Sequence, residues 1–289
     1  MQSTNEIREH INAIEETRKI TKAMQLVSTA RLKRTMDHID YNHRYFQRVL
    51  STMRDILASP ADVSHPYLTD RGSRRKTFIV IAADKGLCGS YNASVLELAL
   101  KNIKQAGEDC SVLSVGIVAH EYLRAHKIVP DREILGMSQD PSLHNARSLA
   151  YDVFNLYDQA KTDEVFVIYT SFYGESKNKA IMRRLLPVME SDYDIPEASE
   201  HAKDIRCVPS AQELFSHLVP QYVIAVLFGA LGQAYACEQY ARMNAMQSAT
   251  RNADEMLQKL RLRYNLARQS AITQEIAEIS GAAEALKDS

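Results

Sequence analysis

The stretch Leu257–Ile279, LQKLRLRYNLARQSAITQEIAEI, contains neither Gly nor Pro and places its apolar and small residues at helical intervals. Leu257, Leu260, Tyr264, Ala267 and Ala271 follow one another by steps of three and four, and after a one-residue shift Ile272, Ile276, Ile279, Ala283 and Leu286 continue by fours and threes. Residues spaced in this way form one stripe that stays against a neighbour as two helices supercoil. The stretch therefore predicts a long helix that needs a partner.

Moving outward, neither Gly nor Pro occurs from Gln233 to Ser280, nor from Gln2 to Ser59, and all ten Gly lie between Gly72 and Gly281. Two breaker-free arms thus flank a middle that holds nearly all the turn signals. As single helices the arms would each run roughly 70 to 85 Å at about 1.5 Å per residue. The N-terminal arm carries Ile7, Ile11 and Ile14, then Ile20 or Thr21, Met24 and Val27 at the same spacing. Small or polar seam residues such as Thr21, Ala267 and Ala271 predict close packing rather than a leucine-rich zipper. The arms are expected to pair antiparallel with each other, because pairing within one chain has no association cost. The alternative is that each arm is two shorter helices of a bundle, since the period lapses near Arg31 to Tyr41.

The middle alternates two kinds of segment. Thr77–Ala82, Ser111–Val115 and Glu164–Tyr169 are rich in Val and Ile and read as buried parallel strands, whereas Ala93–Gln105 and Ser142–Tyr157 read as crossover helices. This predicts a three-layer α/β domain inserted between the arms. Gln139, Asp140, Pro141 and Ser142 read as a helix start with Pro near the first turn.

Composition narrows the function classes. A 289-residue chain with 45% hydrophobic and 25% charged residues is ordinary for a globular protein, and a formal charge of -1 gives no overall field for nucleic acid or an anionic membrane. Cys88, Cys110, Cys207 and Cys237 have no CxxC spacing, which predicts reduced thiols rather than a zinc site or disulfides. Tyr222–Gly232 is the most apolar run and is too short to span a bilayer, so it reads as a buried helix segment. The opening MQSTNEIREHI has no apolar core, and no secretory signal is expected.

The segment Thr77–Asn92, TFIVIAADKGLCGSYN, has the outline of a strand entering a phosphate-binding turn. A Walker-type loop needs G-x-x-x-x-G-K-[ST], but here Lys85 precedes Gly86 and no Lys-Ser or Lys-Thr follows Gly89. The dinucleotide fingerprint needs three glycines, and Gly86-Leu87-Cys88-Gly89 supplies a single G-x-x-G. The glycines read as relief for a tight strand-to-helix turn, with Asp84 either capping that turn or binding a partner. No histidine pair has metal spacing, no G-x-S-x-G elbow occurs, and Cys88 has no sequence-visible His partner. Neither a catalytic site nor a cofactor is expected.

One charge cluster rises above background. Arg18, Lys19, Lys22, Arg31, Lys33 and Arg34 occur with no acid among them, and Lys259, Arg261, Arg263 and Arg268 enrich the other arm. In an antiparallel pair these would form a collar facing an acidic partner, although solvated helix faces often look the same. Nucleic acid is the weaker partner, because aromatics are not interleaved with the basic residues. A nucleotide-binding α/β enzyme with helical extensions and a coiled-coil adaptor for nucleic acid are the competing readings.

Three segments carry a family resemblance: KITKAMQLVSTARLKR at Lys19–Arg34, DKGLCGSYN at Asp84–Asn92, and ARMNAMQSATRNADEMLQKLRLRYNLARQSAITQEIAEISGAAEAL at Ala241–Leu286. They closely resemble the gamma subunit of F-type ATP synthase. The resemblance implies an α/β protein: a long antiparallel coiled coil formed by the N- and C-terminal helices, residues 1–59 and 210–289, with an inserted Rossmann-like α/β domain over 75–209. It implies a central rotor stalk without catalytic activity of its own, with no cofactor and no nucleic acid. Ion-driven rotation of the membrane-embedded c-ring would turn the shaft inside the alpha and beta hexamer and force beta through conformations of differing nucleotide affinity. The epsilon subunit would bind the inserted domain. The chain would sit peripherally on the cytoplasmic face of a bacterial cell membrane, or on the equivalent organellar face.

By the same resemblance Met24 lies near the level of the acidic loops of beta, with Lys19 and Lys22 in the same motif. Arg242, Gln269 and Thr273, with Arg268, fall in motifs that meet beta or cross the shaft. Asp84 and Cys88 belong to a turn expected to face a protein surface. The thiol-control insertion of chloroplast members is not visible.

Overall fold

The computed structural model describes residues 4–58, 64–72, 75–107, 109–172, 178–189, 207–208 and 210–285, with side chains to residue 280. Its elements in chain order are α1 (Thr4–Leu57), β1 (Lys76–Ile81), α2 (Tyr91–Ala106), β2 (Cys110–Val115), α3 (Ile117–Ala125), β3 (Arg132–Ile134), a 3₁₀ turn (Met137–Gln139), α4 (Leu143–Asp158), β4 (Glu164–Ser171), β5 (Lys179–Leu186) and α5 (Ala211–Ala285). The two arms are single helices of 54 and 75 residues, so the reading of each as two shorter helices is overturned. The chain divides into two compact units, Met1–Ser28 with Met243–Ser289, and Thr29–Arg242.

In the larger unit the sheet order is β3-β2-β1-β4-β5, parallel except for β5, which runs antiparallel to β4. Successive strand residues point to opposite faces, and the sequence uses both. Phe78 and Val80 of β1 and Ala82 just beyond it, with Val112, Phe166 and Ile168, pack against Val95, Leu96 and Ala99 of α2 and Leu123 of α3. Ile79, Ile81, Leu113, Val115, Val165 and Val167 face the other way, onto Leu149 and Val153 of α4. That second layer also takes Val49, Leu50, Met53 and Ile56 of α1 and Phe215, Val219, Tyr222 and Val223 of α5. Near-continuous Val and Ile runs are what a sheet covered on both faces requires.

Several expectations are corrected. The uncharged stretch around Tyr222–Gly232 is longer than read: α5 holds an 18-residue window of mean hydropathy 1.7 with at most two charges, long enough by composition to cross a bilayer. Tyr222, Val223, Val226, Leu227 and Leu231 are instead spent on the core. Pro220, Gly229, Gly232 and Gly281 lie inside α5. Gly229 and Gly232 admit close neighbours, since a Cβ there would meet Asn42 Nδ2 at 3.0 Å and Ile39 Cγ1 at 3.3 Å. The helix start read at Gln139–Ser142 stands: Ser142 is the N-cap of α4, its hydroxyl accepting the Asn145 amide at 3.3 Å, and Pro141 lies just before it. α3, β3 and β5 are additions to the segments read from sequence.

In the smaller unit α1 and α5 run antiparallel. Glu15 accepts from Arg261 at 2.7 Å, Arg18 pairs with Asp254 at 3.3 Å, and the hydroxyls of Thr21 and Thr250 meet at 2.9 Å. The inward stripe of α1 is Ile7, Ile11, Ile14, Thr21 and Ser28, facing Met246, Ala253, Leu257 and Leu260 of α5. Ile20 and Val27, offered as seam residues, are exposed, and Thr21 takes the buried position. Beyond Ala267 the predicted stripe is also corrected: Ala271, Ile272, Ile276 and Ile279 are exposed, while Ala283 and Leu286 lie outside the described side chains.

The Thr21–Thr250 contact is testable. Thr21→Val should destabilise the paired tip by about 1 kcal/mol, because it removes one partner of a part-buried hydroxyl pair, whereas Thr21→Val with Thr250→Val should recover most of that loss. Amide hydrogen exchange over 243–270 reads both effects, and equal protection in the single and double variants would remove the hydroxyl pair as the cause.

Candidate functional site

β1 delivers Asp84 to the carboxyl end of the parallel sheet, where ligands of open α/β sheets usually bind. The chain turns through Lys85–Gly89 and enters α2 at Tyr91. Gly89 at φ 58° makes that turn possible, and Leu87 adopts φ 63° as an exposed side chain at its apex. Asn92 ties the turn down: its Oδ1 accepts the Ala83 amide at 3.0 Å and its Nδ2 reaches Cys88 Sγ at 3.4 Å.

Asp84 is buried and acts as an acceptor hub. Its Oδ1 accepts the Ile117 amide at 3.0 Å, at the start of α3, and its Oδ2 accepts from the Ser138 hydroxyl at 2.6 Å and from Gln139 Nε2 at 3.3 Å. One carboxylate thus fastens the ends of β1 and β2 to the 3₁₀ turn that follows β3. Asp84 therefore caps the start of α3 instead of the glycine turn itself.

The other side of the turn is closed by α5. Arg242, 7% exposed, donates from Nη1 to Glu238 Oε1 at 2.6 Å and from Nη2 to the carbonyls of Lys85 and Gly86, each at 3.1 Å. Glu238 is 2% exposed, and the i,i+4 spacing brings the pair together on one helix face. The turn therefore presents carbonyl oxygens to a guanidinium where a phosphate cradle would converge amides. Its cation is already supplied by the chain.

The thiols here are not nucleophiles. Burial pushes the Cys88 thiol up, against the smaller opposing effect of Arg242, and pushes Cys237 up to about 12. Activated cysteines show the reverse shift. Burial also holds the Tyr91 phenol well above its ordinary value, with Glu238 nearby reinforcing the effect. Burial raises the Glu238 carboxyl, and the Arg242 hydrogen bond and charge work against that rise.

The structure sorts the predicted residues into two groups. Asp84, Cys88 and Arg242 come together in the larger unit, all buried and engaged within the chain. Lys19, Lys22, Met24, Arg268, Gln269 and Thr273 lie in the smaller unit: Met24 is half-buried and the others are exposed. Lys19 bonds Glu16 at 2.7 Å, Lys22 bonds Gln25 at 3.2 Å, and Thr273 donates back to the Gln269 carbonyl at 2.9 Å. The basic collar is partly spent at home, since Arg18 and Arg261 answer acids across the helix pair. Glu238, Asn92 and Ser138 were not read from sequence. Only the Glu238–Arg242 spacing carried a signal.

A long antiparallel helix pair, with an α/β unit whose glycine turn is closed by its own arginine, is the build of a helical shaft protein. The family model described as ATP synthase matches residues 3–286. The chain is 34% identical over 290 residues to the ATP synthase gamma chain of Heliobacterium modesticaldum, covering 99% of this chain and 100% of the relative. It is 35% identical to that of Ruminiclostridium cellulolyticum, covering 98% of each. The chain belongs to the ATP synthase gamma-chain family, and is a subunit of that complex distinct from the catalytic one. Its fold is similar to a chain of the Euglena gracilis mitochondrial ATP synthase structure of OSCP, F1 and c-ring, with TM-score 0.67, 20% identity and 98% and 94% coverage of this chain and that one. It is also similar to a chain of the Tetrahymena thermophila central stalk and c-ring structure, with TM-score 0.59, 22% identity and 80% and 99% coverage.

Proposed function

We propose that the chain is the central rotor stalk of an ATP synthase, coupling ion-driven rotation of a membrane c-ring to conformational changes in the beta subunits of an alpha and beta hexamer. The observation that carries this reading is the near full-length identity to gamma chains on a fold whose end helices pair antiparallel. The epsilon subunit is the further partner, and the complex holds the chain peripherally at the cytoplasmic face of the membrane.

On this reading the two residue groups have different work. Lys19, Lys22, Arg268, Gln269 and Thr273 are exposed polar groups on the paired helices and make moderate contacts with passing beta subunits. Charge attraction is long-ranged and weakly directional, so it guides a moving surface without locking it. Asp84, Cys88 and Arg242 act from inside the larger unit: Asp84 fastens the sheet end to α3, Cys88 packs in a buried cluster with Cys237 of α5, and Arg242 holds the glycine turn to α5, so that torque entering the α/β unit is delivered to that helix.

The test is recovery of partners. Affinity-tagged chain expressed with the other subunits should bring down alpha and beta in fixed ratio, and recovery of the chain without either would overturn the reading. Within it, Met24→Lys adds a cation beside the acidic loops of beta and should lower the number of ions pumped per ATP hydrolysed in reconstituted vesicles by at least about two-fold, the effect of a contact worth ~0.4 kcal/mol. An unchanged ratio would remove Met24 as a coupling contact.

A further inference from the structure

We propose that a cavity of about 580 Å³ between α1 and the start of α4 binds phosphate groups. It lies within the larger unit, clear of the glycine turn. Its wall on α1 is Arg31, Arg34 and His38, which the spacing of three and four places on one helix face, and its opposite wall is Gln139, Ser142 and Leu143. Two features favour an anion. Arg31 carries a guanidinium at the cavity wall beside the buried Tyr235, whose phenol feels that positive charge. Arg34 and His38 have no partner among the described residues, leaving their donors free toward the cavity.

Guanidinium forks match phosphate oxygens and bind them more strongly than neutral donors do. The first amides of α4 add to the same field, since Ser142 Oγ takes the Asn145 amide and leaves those of Leu143 and His144 without a partner among the described residues. Asp140 at the lip opposes binding, so the site suits a ligand whose charge is large enough to overcome one carboxylate. Phosphate chemistry has two sources for this chain: inorganic phosphate or pyrophosphate, and the phosphate tail of a nucleotide. The complex to which the family belongs turns over phosphate and nucleotide, so either would report energetic state to the shaft.

The experiment uses the full chain alone, free of catalytic subunits that would bind the same anions. Inorganic phosphate, pyrophosphate and ATP are titrated separately at low salt, followed by ³¹P line broadening and calorimetry. Saturable binding is expected, strongest for pyrophosphate if free anions are the ligand and for ATP if the nucleotide is. Arg34→Gln with His38→Gln should weaken it about ten-fold or more, and Asp140→Asn should strengthen it several-fold, with far-UV circular dichroism unchanged in both. Silence toward all three anions, or affinities that ignore these substitutions, would overturn the proposal. So would saturation by an acidic peptide alone, which would make the cavity a protein-docking site.

Discussion

Gly116→Ala is expected to prevent the larger unit from folding, at a cost above about 4 kcal/mol. Gly116 stands at φ 96° between β2 and α3, where an L side chain is strained. Crowding adds to the strain. A Cβ at this position would lie 2.3 Å from the Ala82 carbonyl oxygen and 3.0 Å from both the Ala82 carbonyl carbon and the Ala83 oxygen. These are backbone atoms fixed by the ladder. Ala82 donates to the Val115 carbonyl at 3.0 Å, Gly116 to the Ile134 carbonyl at 3.0 Å, and the Ala83 carbonyl accepts from Val118 at 3.1 Å. No rotamer change relieves the clash, so either β1 shifts against β2 or α3 leaves the sheet. Gly89→Ala separates the two causes, because Gly89 also has positive φ, 58°, but open space around it. It should cost only about 1 kcal/mol. Denaturant unfolding of the full chain and soluble yield on expression check both, and similar losses at the two glycines would reject crowding as the main cause.

The same close approach explains why α3 escaped a reading of the sequence. Its nine residues follow Gly116, and the carboxylate that caps its first amide, Asp84, is 33 residues away, so the short helix has no local start signal. β5, KAIMRRLL, was missed for a related reason. It is an edge strand with Lys and two Arg and no regular alternation of apolar residues, so neither period nor β-branching marks it. The three central parallel strands were legible because burial on both faces forces continuous Val and Ile.

The lapse in period near Arg31–Tyr41 has a different origin. In the larger unit the inward positions of α1 include Thr35 and Asn42, and in the smaller unit Thr21 and Ser28, all seven residues apart. The geometry is that of a regular seam while the chemistry is polar, and a test that counts hydrophobic residues sees a gap where the helix has none. Small polar groups let the partner backbone come close and bond to it, as Asn42 does to the Ala225 carbonyl at 3.2 Å. The residues of the glycine turn were likewise legible as residues, but their orientation was not. Whether a G-x-x-G turn offers amides or carbonyls depends on the tertiary partner, and Arg242 lies far away in sequence, at separations of 157 and 156 from the two carbonyls it binds.

Arg242→Gln should destabilise the larger unit by about 3–5 kcal/mol at neutral pH, the usual cost of leaving one member of a buried ion pair behind. For a unit of this size each kcal/mol lowers Tm by roughly 2–4 °C, so a drop of about 6–20 °C is expected. The pH dependence identifies the cause. Glu238 is raised by burial even in the native protein, and Arg242 supplies the main opposing influence through its hydrogen bond and its charge. Without Arg242 the carboxyl rises further. A group whose folded pKa lies above its unfolded value contributes stability below the unfolded pKa and loses it as pH rises through the folded one. The deficit of the variant relative to the native chain should therefore be smaller at pH 5 than at pH 8. Glu238→Gln with Arg242→Gln should be less damaged at pH 8 than Arg242→Gln alone, because no carboxylate is stranded. If Arg242→Gln shows the same deficit at both pH values, the loss lies in the two carbonyl bonds to Lys85 and Gly86. In that case Arg242→Lys, which keeps the charge but not the planar fork, should be nearly as unstable as Arg242→Gln. Either result locates what joins the turn to the shaft helix: a buried charge pair in the first case, a bidentate grip on backbone in the second.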